Sequence, residues 1–450
     1  MNKNFMCNLA AATVFLLACA SPAARGQADF TRWAPTPPMG WNSWDCYGPT
    51  VQEHEVKANA DYMAEHLRRY GWEYIVVDIR WFVENDKAGG YNQTDPRYVM
   101  DEYGRYTPAL NRFPSAAGGK GFRPLADYVH AKGLKFGIHI MRGIPREAVA
   151  RKLPVKGTRL TADQLYSPES PCAWLADNYT VADVPGGQEY YDSLIELYAS
   201  WGVDFLKVDD ISRPYHSREV EMIREAIDKS GRSIVLSLSP GATPVAEAGH
   251  VSVHANMWRM VDDLWDVWED VVSLMRVARG WFPTVGPTWP DCDMIPLGKL
   301  SIRGERGEER PSRLSRSEQR ALMTFFAIFR SPLMFGGDLP SLDEFTRSLL
   351  TNSAVLEMHR EGREPRLIFW QDGKVAITSR RDRSSERYIA LFNLSDREAT
   401  VSAPLAAAGI DGDGECFDMW TGEARGRARE AISVQLLPHS AALYSVKPIK

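Results

Sequence analysis

Residues 202–214 read GVDFLKVDDISRP, an apolar run that closes on Lys207, Asp209 and Asp210. A buried strand ends in three charges only where they meet a polar cavity or each other. Side chains alternate along a strand, so Phe205, Lys207 and Asp209 share one face, and Leu206, Val208 and Asp210 the other. An unpaired lysine is not expected beneath covering helices. The face with Lys207 and Asp209 is therefore the inner one, Asp209 is the candidate for chemistry, and Asp210 is a structural or supporting group. The bland alternative at this spacing is a structural ion pair between Lys207 and Asp209.

More carboxylates and rings close other apolar runs. VDIRW supplies Asp78 and Trp81; PPMGWNSWDCYG supplies Trp41, Trp44 and Asp45. MWRMVDDLWD offers Arg259, Asp262, Asp263 and Asp266, and WPDCDM offers Asp291 and Asp293. Carboxylates and arginine hydrogen-bond hydroxyls, while indole covers the apolar face of a pyranose, so the set suits a sugar. Two opposed carboxylates are also the minimal machinery for cleaving a glycosidic bond. Metal-dependent hydrolysis is the competing chemistry, because His139 and His254 fall late in two apolar runs. There is no His-x-His and no His-Glu-x-x-His, however, and a lone histidine at a strand end is more often a hydrogen-bonding partner. A phosphate loop and a Gly-x-Ser-x-Gly elbow are absent; GGKG at 118–121 lacks the hydroxyl residue and the preceding strand. No metal and no cofactor are expected.

Such residues need a scaffold that gathers strand ends. From about 36 to 345, short apolar runs (74–81, 134–140, 203–211, 233–239, 251–258, 331–339) alternate with helical stretches (51–71, 122–133, 188–202, 317–329). Continuous apolar strands separated by helices imply a parallel sheet covered on both faces, and about eight such units predict a (β/α)8 barrel with its site at the carboxyl ends of the strands. After Arg366 the texture changes to short alternating strands without helices, which predicts a C-terminal antiparallel β-sandwich. The expected organisation is a leader over 1–28, a barrel over 29–362 and a sandwich over 363–450.

The leader expectation rests on one lysine, an apolar stretch and small residues before Asp29, the layout of a secretory signal. It implies an exported protein, periplasmic or secreted; the alternative is a lipid-anchored form, with LLAC, ending at Cys19, as an attachment box that Leu17 fits poorly. Nothing beyond the leader is long and apolar enough to span a membrane. The formal net charge of −5 gives no reason to expect a nucleic-acid partner. A carbohydrate substrate is the partner this composition suits, and oligomeric state is left open. Of six cysteines, Cys46, Cys172, Cys292 and Cys416 lie outside the leader, too far apart in sequence for a zinc ribbon.

Seven strings in order, PPMGWNSWDCYG, EYIVVDIRW, YVHAKGLKFGIHI, WGVDFLKVDD, MWRMVDDLW, WPDCDM and RSPLMFGGDL, together resemble glycoside hydrolase family 27, the melibiase or α-galactosidase family. The resemblance implies a retaining exo-glycosidase. It makes Asp209 of LKVD the nucleophile and Asp263, four residues after Arg259, the acid/base. Trp44, Asp78, Lys207 and Arg259 match positions that contact the sugar, and Asp293 a position on the pocket wall. A retaining pair of carboxyl groups should lie about 5–5.5 Å apart. Lys207 near Asp209 should favour the ionised nucleophile, and Asp263 should keep its proton to higher pH.

The chain also departs from the pattern. Galactose-binding members present two consecutive aspartates where Asp78-Ile79 stands, a pair that grips O4 and O6. Ser239 and Ala242 replace a Glu and a Leu, as in members that accept a 2-acetamido group. His139 replaces an aromatic ring, and Ser212 and Arg213 stand where a disulfide cysteine is usual. The leading expectation is release of terminal α-D-galactosyl units. α-N-acetylgalactosaminidase and β-L-arabinopyranosidase are the alternatives, and a sugar-binding protein that has lost catalysis is the reading from another class.

Overall fold

A computed structural model describes residues 30–449, so the expected leader and Cys19 lie outside the described residues. Seven strands pair in parallel in chain order: β1 (Met39–Asn42), β2 (Tyr74–Val77), β3 (Lys135–Met141), β4 (Phe205–Asp209), β5 (Val235–Leu238), β6 (Met257–Arg259) and β7 (Trp289–Asp291). β8 (Met294–Ile295) pairs with β9 (Leu333–Phe335), and β9 pairs with β1. β7 and β8 are two halves of one stave, broken at Cys292-Asp293, where Asp293 takes a φ of 86°. Joined across that break, the nine strands make eight staves and the sheet closes on itself. The barrel expected from the alternation is the fold observed.

Helices α1 (Glu53–Tyr62), α2 (Arg123–Ala131), α3 (Gly187–Ser200), α4 (Ser217–Lys229), α5 (Trp268–Ala278) and α6 (Arg316–Phe329) cover its outside. The sequence dictates their faces. In α4, Val220, Ile223, Ala226 and Ile227 recur at helical spacing and are all buried. α6 starts at Ser315, whose hydroxyl accepts from the Glu318 amide while the Glu318 carboxylate accepts from the Ser315 amide. Two expected elements differ. The helix over 51–71 is regular only to Tyr62, then widens and tightens before Gly71 ends it with a φ of 101°. The strand expected over 251–258 is confined to β6, because residues 248–251 are helical and the Ala255 amide still donates to the Val251 carbonyl at 2.9 Å.

The chain leaves the barrel through α7 (Ser353–Glu361) directly into β10 (Gly362–Gln371). Then follow β11 (Lys374–Arg381), β12 (Arg387–Asn393), β13 (Ala399–Pro404), β14 (Gly414–Asp418), β15 (Ala424–Ala428), β16 (Ala431–Leu436) and β17 (Ser440–Pro448). They form an antiparallel sheet in the order β10-β11-β12-β17-β14-β15, and a second antiparallel pair, β13-β16, packs over it. Ile389, Leu391, Val401, Ala403, Ile432 and Val446 fill the space between. The other face of the larger sheet continues the barrel core, with Phe325 of α6 against Phe392 at 6.3 Å.

Candidate active site

The loops beyond the carboxyl ends of the staves enclose a cleft of about 760 Å3. Trp44, Asp78, His139, Lys207, Asp209, Ser239 and Asp263 line it. The remaining candidates sit behind or beside the wall. Arg259 and Asp293 are buried beneath it, bordering a small cavity with Lys207, and Ala242 is not among its lining residues.

Asp78, one residue past the end of β2, is the centre of the charge arrangement. Asn42 donates to its Oδ2 at 2.7 Å, Lys207 lies 3.0 Å from the same oxygen, and His139 Nδ1 is 2.6 Å from Oδ1. Burial alone would raise the Asp78 carboxyl, but His139 and Lys207 outweigh it and hold it well below the usual carboxylate range. Burial also works against the charge on Lys207, and Asp78 and then Asp209 more than offset it. The lysine's direct partner is thus Asp78, not the Asp209 suggested by spacing, because Asp78 reaches it from the end of β2, across the intervening strand β3.

The residue that faces Asp209 is His139. Its Nε2 lies 2.9 Å from Asp209 Oδ2, an ion-pair contact rather than a well-aligned hydrogen bond. The other carboxylate oxygen accepts from the Asp210 amide at 2.6 Å. His139 therefore bridges two carboxylates from inside a fully buried site. Burial favours its neutral form, yet Asp78 and Asp209 raise its pKa above the ordinary histidine value. A histidine that holds its proton more tightly when folded contributes stability that is complete below its unfolded pKa, about 6.5. That contribution disappears as pH rises through the elevated folded value. His216, His254 and His359 are pushed the other way by burial, so the histidine signal must be read as a difference. The expected result is that the gap in thermal midpoint between the parent and His139→Gln narrows as pH rises from 6 to 9 in a fluorescence melt. A gap independent of pH would mean that His139 is neutral throughout.

Asp210, with a φ of 56°, turns away from Asp209 and pairs with Arg142 at 2.9 Å. Burial pushes its carboxyl up to about 6, with Arg142 opposing. Arg142 also contacts Glu219 at 2.9 Å, and its backbone amide donates to the Asp209 carbonyl, so it pins the end of β4. Beneath the opposite wall, Arg259 at the end of β6 reaches Asp263 at 3.1 Å and Asp293 at 2.6 Å. Burial pushes Asp293 up to about 7, although Arg259 works against it. Asp262 points to the rim, where it pairs with Arg213 at 2.7 Å.

Several rings and acids singled out by sequence do other work. Trp41 donates to the Gly337 carbonyl and Trp81 to the His139 carbonyl, both fully buried, so they are core rather than sugar platforms. Asp45 is buried against Gly336, where an added Cβ would stand 1.9 Å from its Oδ2, and burial raises its carboxyl well above the ordinary range. Asp266 is paired with Arg310. His254 lies on a helical turn, not on a strand. The four described cysteines are free thiols.

Reading the sequence missed a second group of cleft residues: Tyr91, Trp174, Glu305 and Arg306. Trp44, Tyr91 and Trp174 form a row of rings with centroids 5.5 and 5.8 Å apart, the planes inclined by 28° and 34°. Their loops are clamped by Arg80, which is fully buried between Asp177 at 2.9 Å and Asp86 at 3.1 Å. Arg80 belongs to the VDIRW string, and that was the available signal. A buried arginine three residues after a strand end needs carboxylate partners from loops.

Comparison with known proteins agrees with this geometry. The family profile described as Alpha galactosidase A matches residues 173–361, and that of the Alpha galactosidase C-terminal beta sandwich domain matches 372–446. A β-L-arabinopyranosidase of glycoside hydrolase family 27 from Geobacillus stearothermophilus is 47% identical, with 94% of this chain and 99% of that chain covered and a TM-score of 0.92. A putative α-N-acetylgalactosaminidase from Bacillus halodurans is 44% identical over 92% of this chain and 98% of its own, with a TM-score of 0.84. The α-galactosidase A of Cellvibrio japonicus is 26% identical over the full length of both chains. Nearly half the residues are shared along almost the whole of a family 27 enzyme, and the barrel and sandwich follow in the order the two profiles require. The chain therefore belongs to glycoside hydrolase family 27 and is a glycoside hydrolase.

Proposed function

We propose that the protein is a retaining exo-glycosidase of terminal pyranosides with galacto-type ring hydroxyls. It releases α-D-galactosyl units from oligo- or polysaccharides and, faster, β-L-arabinopyranosyl units, which have the same ring without C6. Asp209 attacks the anomeric carbon as Asp263 protonates the departing oxygen; Asp263 then takes a proton from the water that frees the sugar. These roles follow the family resemblance, and two features support them. Asp209 is only 6% exposed and anchored on both oxygens, as a nucleophile needs, while Asp263 is 37% exposed and can exchange protons with water. The leader reading adds an exported location to the proposal. Among the described residues, no helix is long and apolar enough to cross a membrane.

Ile79 carries the substrate preference. It is buried in the cleft wall beside Asp78, where galactose-binding members carry a second aspartate. Its side chain accepts no hydrogen bond, and a hydroxyl left unpaired in a closed site costs about 1–3 kcal/mol. A sugar without the hydroxymethyl group avoids that penalty. The 47% identical β-L-arabinopyranosidase supports this ranking, and the α-galactosidase relatives support the hexose activity. Ser239 lines the cleft with an unpartnered hydroxyl, but Ala242 does not, which leaves the case for a 2-acetamido sugar half made.

The test is a panel of nitrophenyl β-L-arabinopyranoside, α-D-galactoside and α-N-acetylgalactosaminide. We expect kcat/KM to favour the pentoside over the galactoside by roughly ten- to a hundredfold, and Ile79→Asp to shrink or reverse that ratio. A galactoside preference that Ile79→Asp leaves untouched would remove Ile79 from the account.

A further inference from the structure

Outside the cleft, Glu221 on α4 meets His250 and His254 on the turn that follows β5, and their ligand atoms all lie within 4.8 Å of one another. We propose that these three side chains bind one divalent transition-metal ion of the zinc class, with water completing a tetrahedral site.

The geometry supplies the reasons. His250 and His254 are four apart on one helical turn, so their rings stand on one side, centroids 4.1 Å apart. In each ring Nδ1 is already engaged. His254 Nδ1 is 2.8 Å from the His250 carbonyl, and His250 Nδ1 is 2.8 Å from the Tyr215 hydroxyl. An imidazole that donates from Nδ1 presents Nε2 as a lone pair, the arrangement that orients histidine ligands on metals. His250 Nε2 lies 3.2 Å from Glu221 Oε1. Two ligands on a tetrahedral ion with bonds of ~2.0–2.1 Å are separated by roughly 3.3 Å. Glu221 is fixed as well, since Arg218 holds its other oxygen at 3.0 Å. The two rings are 25° from parallel, and loading the ion requires His254 to turn out of the stack. None of the three side chains lines the cleft. The nearest link to it is Tyr215, which follows Arg213 and Pro214 of the cleft wall. The ion therefore braces that loop and takes no part in hydrolysis.

The experiment uses the untagged full chain, stripped with a chelator and titrated with zinc chloride by calorimetry, with thermal melts in parallel. One zinc per chain is expected, with a rise in melting midpoint. Glu221→Gln and His254→Gln should each weaken binding by at least about tenfold and cancel the rise. Melts in chelator show whether each variant is folded, and nitrophenyl glycoside hydrolysis should survive chelation in all of them. Absence of zinc binding by the parent, or equal affinity in the parent and a His250→Gln/His254→Gln double variant, would overturn the proposal.

Discussion

Asp209→Asn is expected to lower kcat by at least about 10^4-fold with every glycoside tested, whatever the leaving group, because the bond it forms to the anomeric carbon is part of every turnover. The substitution keeps the shape of the side chain, and its carbonyl can still accept the Asp210 amide that Asp209 Oδ1 now takes at 2.6 Å. What is lost is a carboxylate held against His139, replaced by an amide too weakly nucleophilic to attack. Asp209→Ala leaves a space beside the sugar instead. With a nitrophenyl substrate, added azide should enter that space and give a glycosyl azide of the opposite anomeric configuration to the substrate. The parent enzyme, by contrast, should release sugar with retained configuration when followed by proton NMR in the first minutes. A rate for Asp209→Asn within tenfold of the parent, at normal melting midpoint, would exclude Asp209 as nucleophile.

What the sequence discloses and what it hides divide along physical lines. Strand β4 was legible because two independent constraints coincide in it: an apolar run long enough to be buried, and charges at one end in an alternation that puts Lys207 and Asp209 on one face. Both line the cleft. The lysine's actual partner was not legible, since which carboxylate lies nearest depends on the offset between neighbouring staves. Lys207 is level with His139 across the sheet and meets Asp78 from the next strand over. The tryptophans show the limit of composition. Trp44 faces the cleft while Trp41 and Trp81 are core, and nothing in ring chemistry separates the two uses. Tyr91 and Trp174 come from long connections that run back over the cleft only because Arg80 ties both of their loops, a tertiary effect with no periodic signature. The break between β7 and β8 was equally hidden. It hinges on the left-handed backbone of Asp293, whose carboxylate accepts the Leu264 amide at 2.7 Å and contacts Arg259 at 2.6 Å.

Asp263→Ala is expected to behave quite differently from loss of the nucleophile, and the difference is diagnostic. Asp263 acts twice in the proposed cycle, as acid in the first step and base in the second, each worth about 10^2–10^4-fold. A nitrophenolate leaves without much help, so with aryl glycosides the first step should be little affected while the second slows. The covalent intermediate then accumulates, and KM should fall together with kcat. With an unactivated disaccharide the first step limits, and kcat/KM itself should drop by about 10^3-fold. Azide needs no general base, so it should restore aryl-glycoside turnover and yield a glycosyl azide of retained configuration, opposite to the product from Asp209→Ala. Arg259 remains paired to Asp293 at 2.6 Å in the absence of Asp263, so the wall should stay in place and the melting midpoint close to that of the parent. Equal losses on aryl glycoside and disaccharide, with no response to azide, would show that Asp263 shapes the site without transferring the proton, and attention would pass to Glu305. That residue lines the same cleft, and its carboxyl is raised first by burial and then by Asp263 itself. If Asp263 is the proton donor, a Glu305→Gln change made on the Asp263→Ala background should slow proton transfer no further.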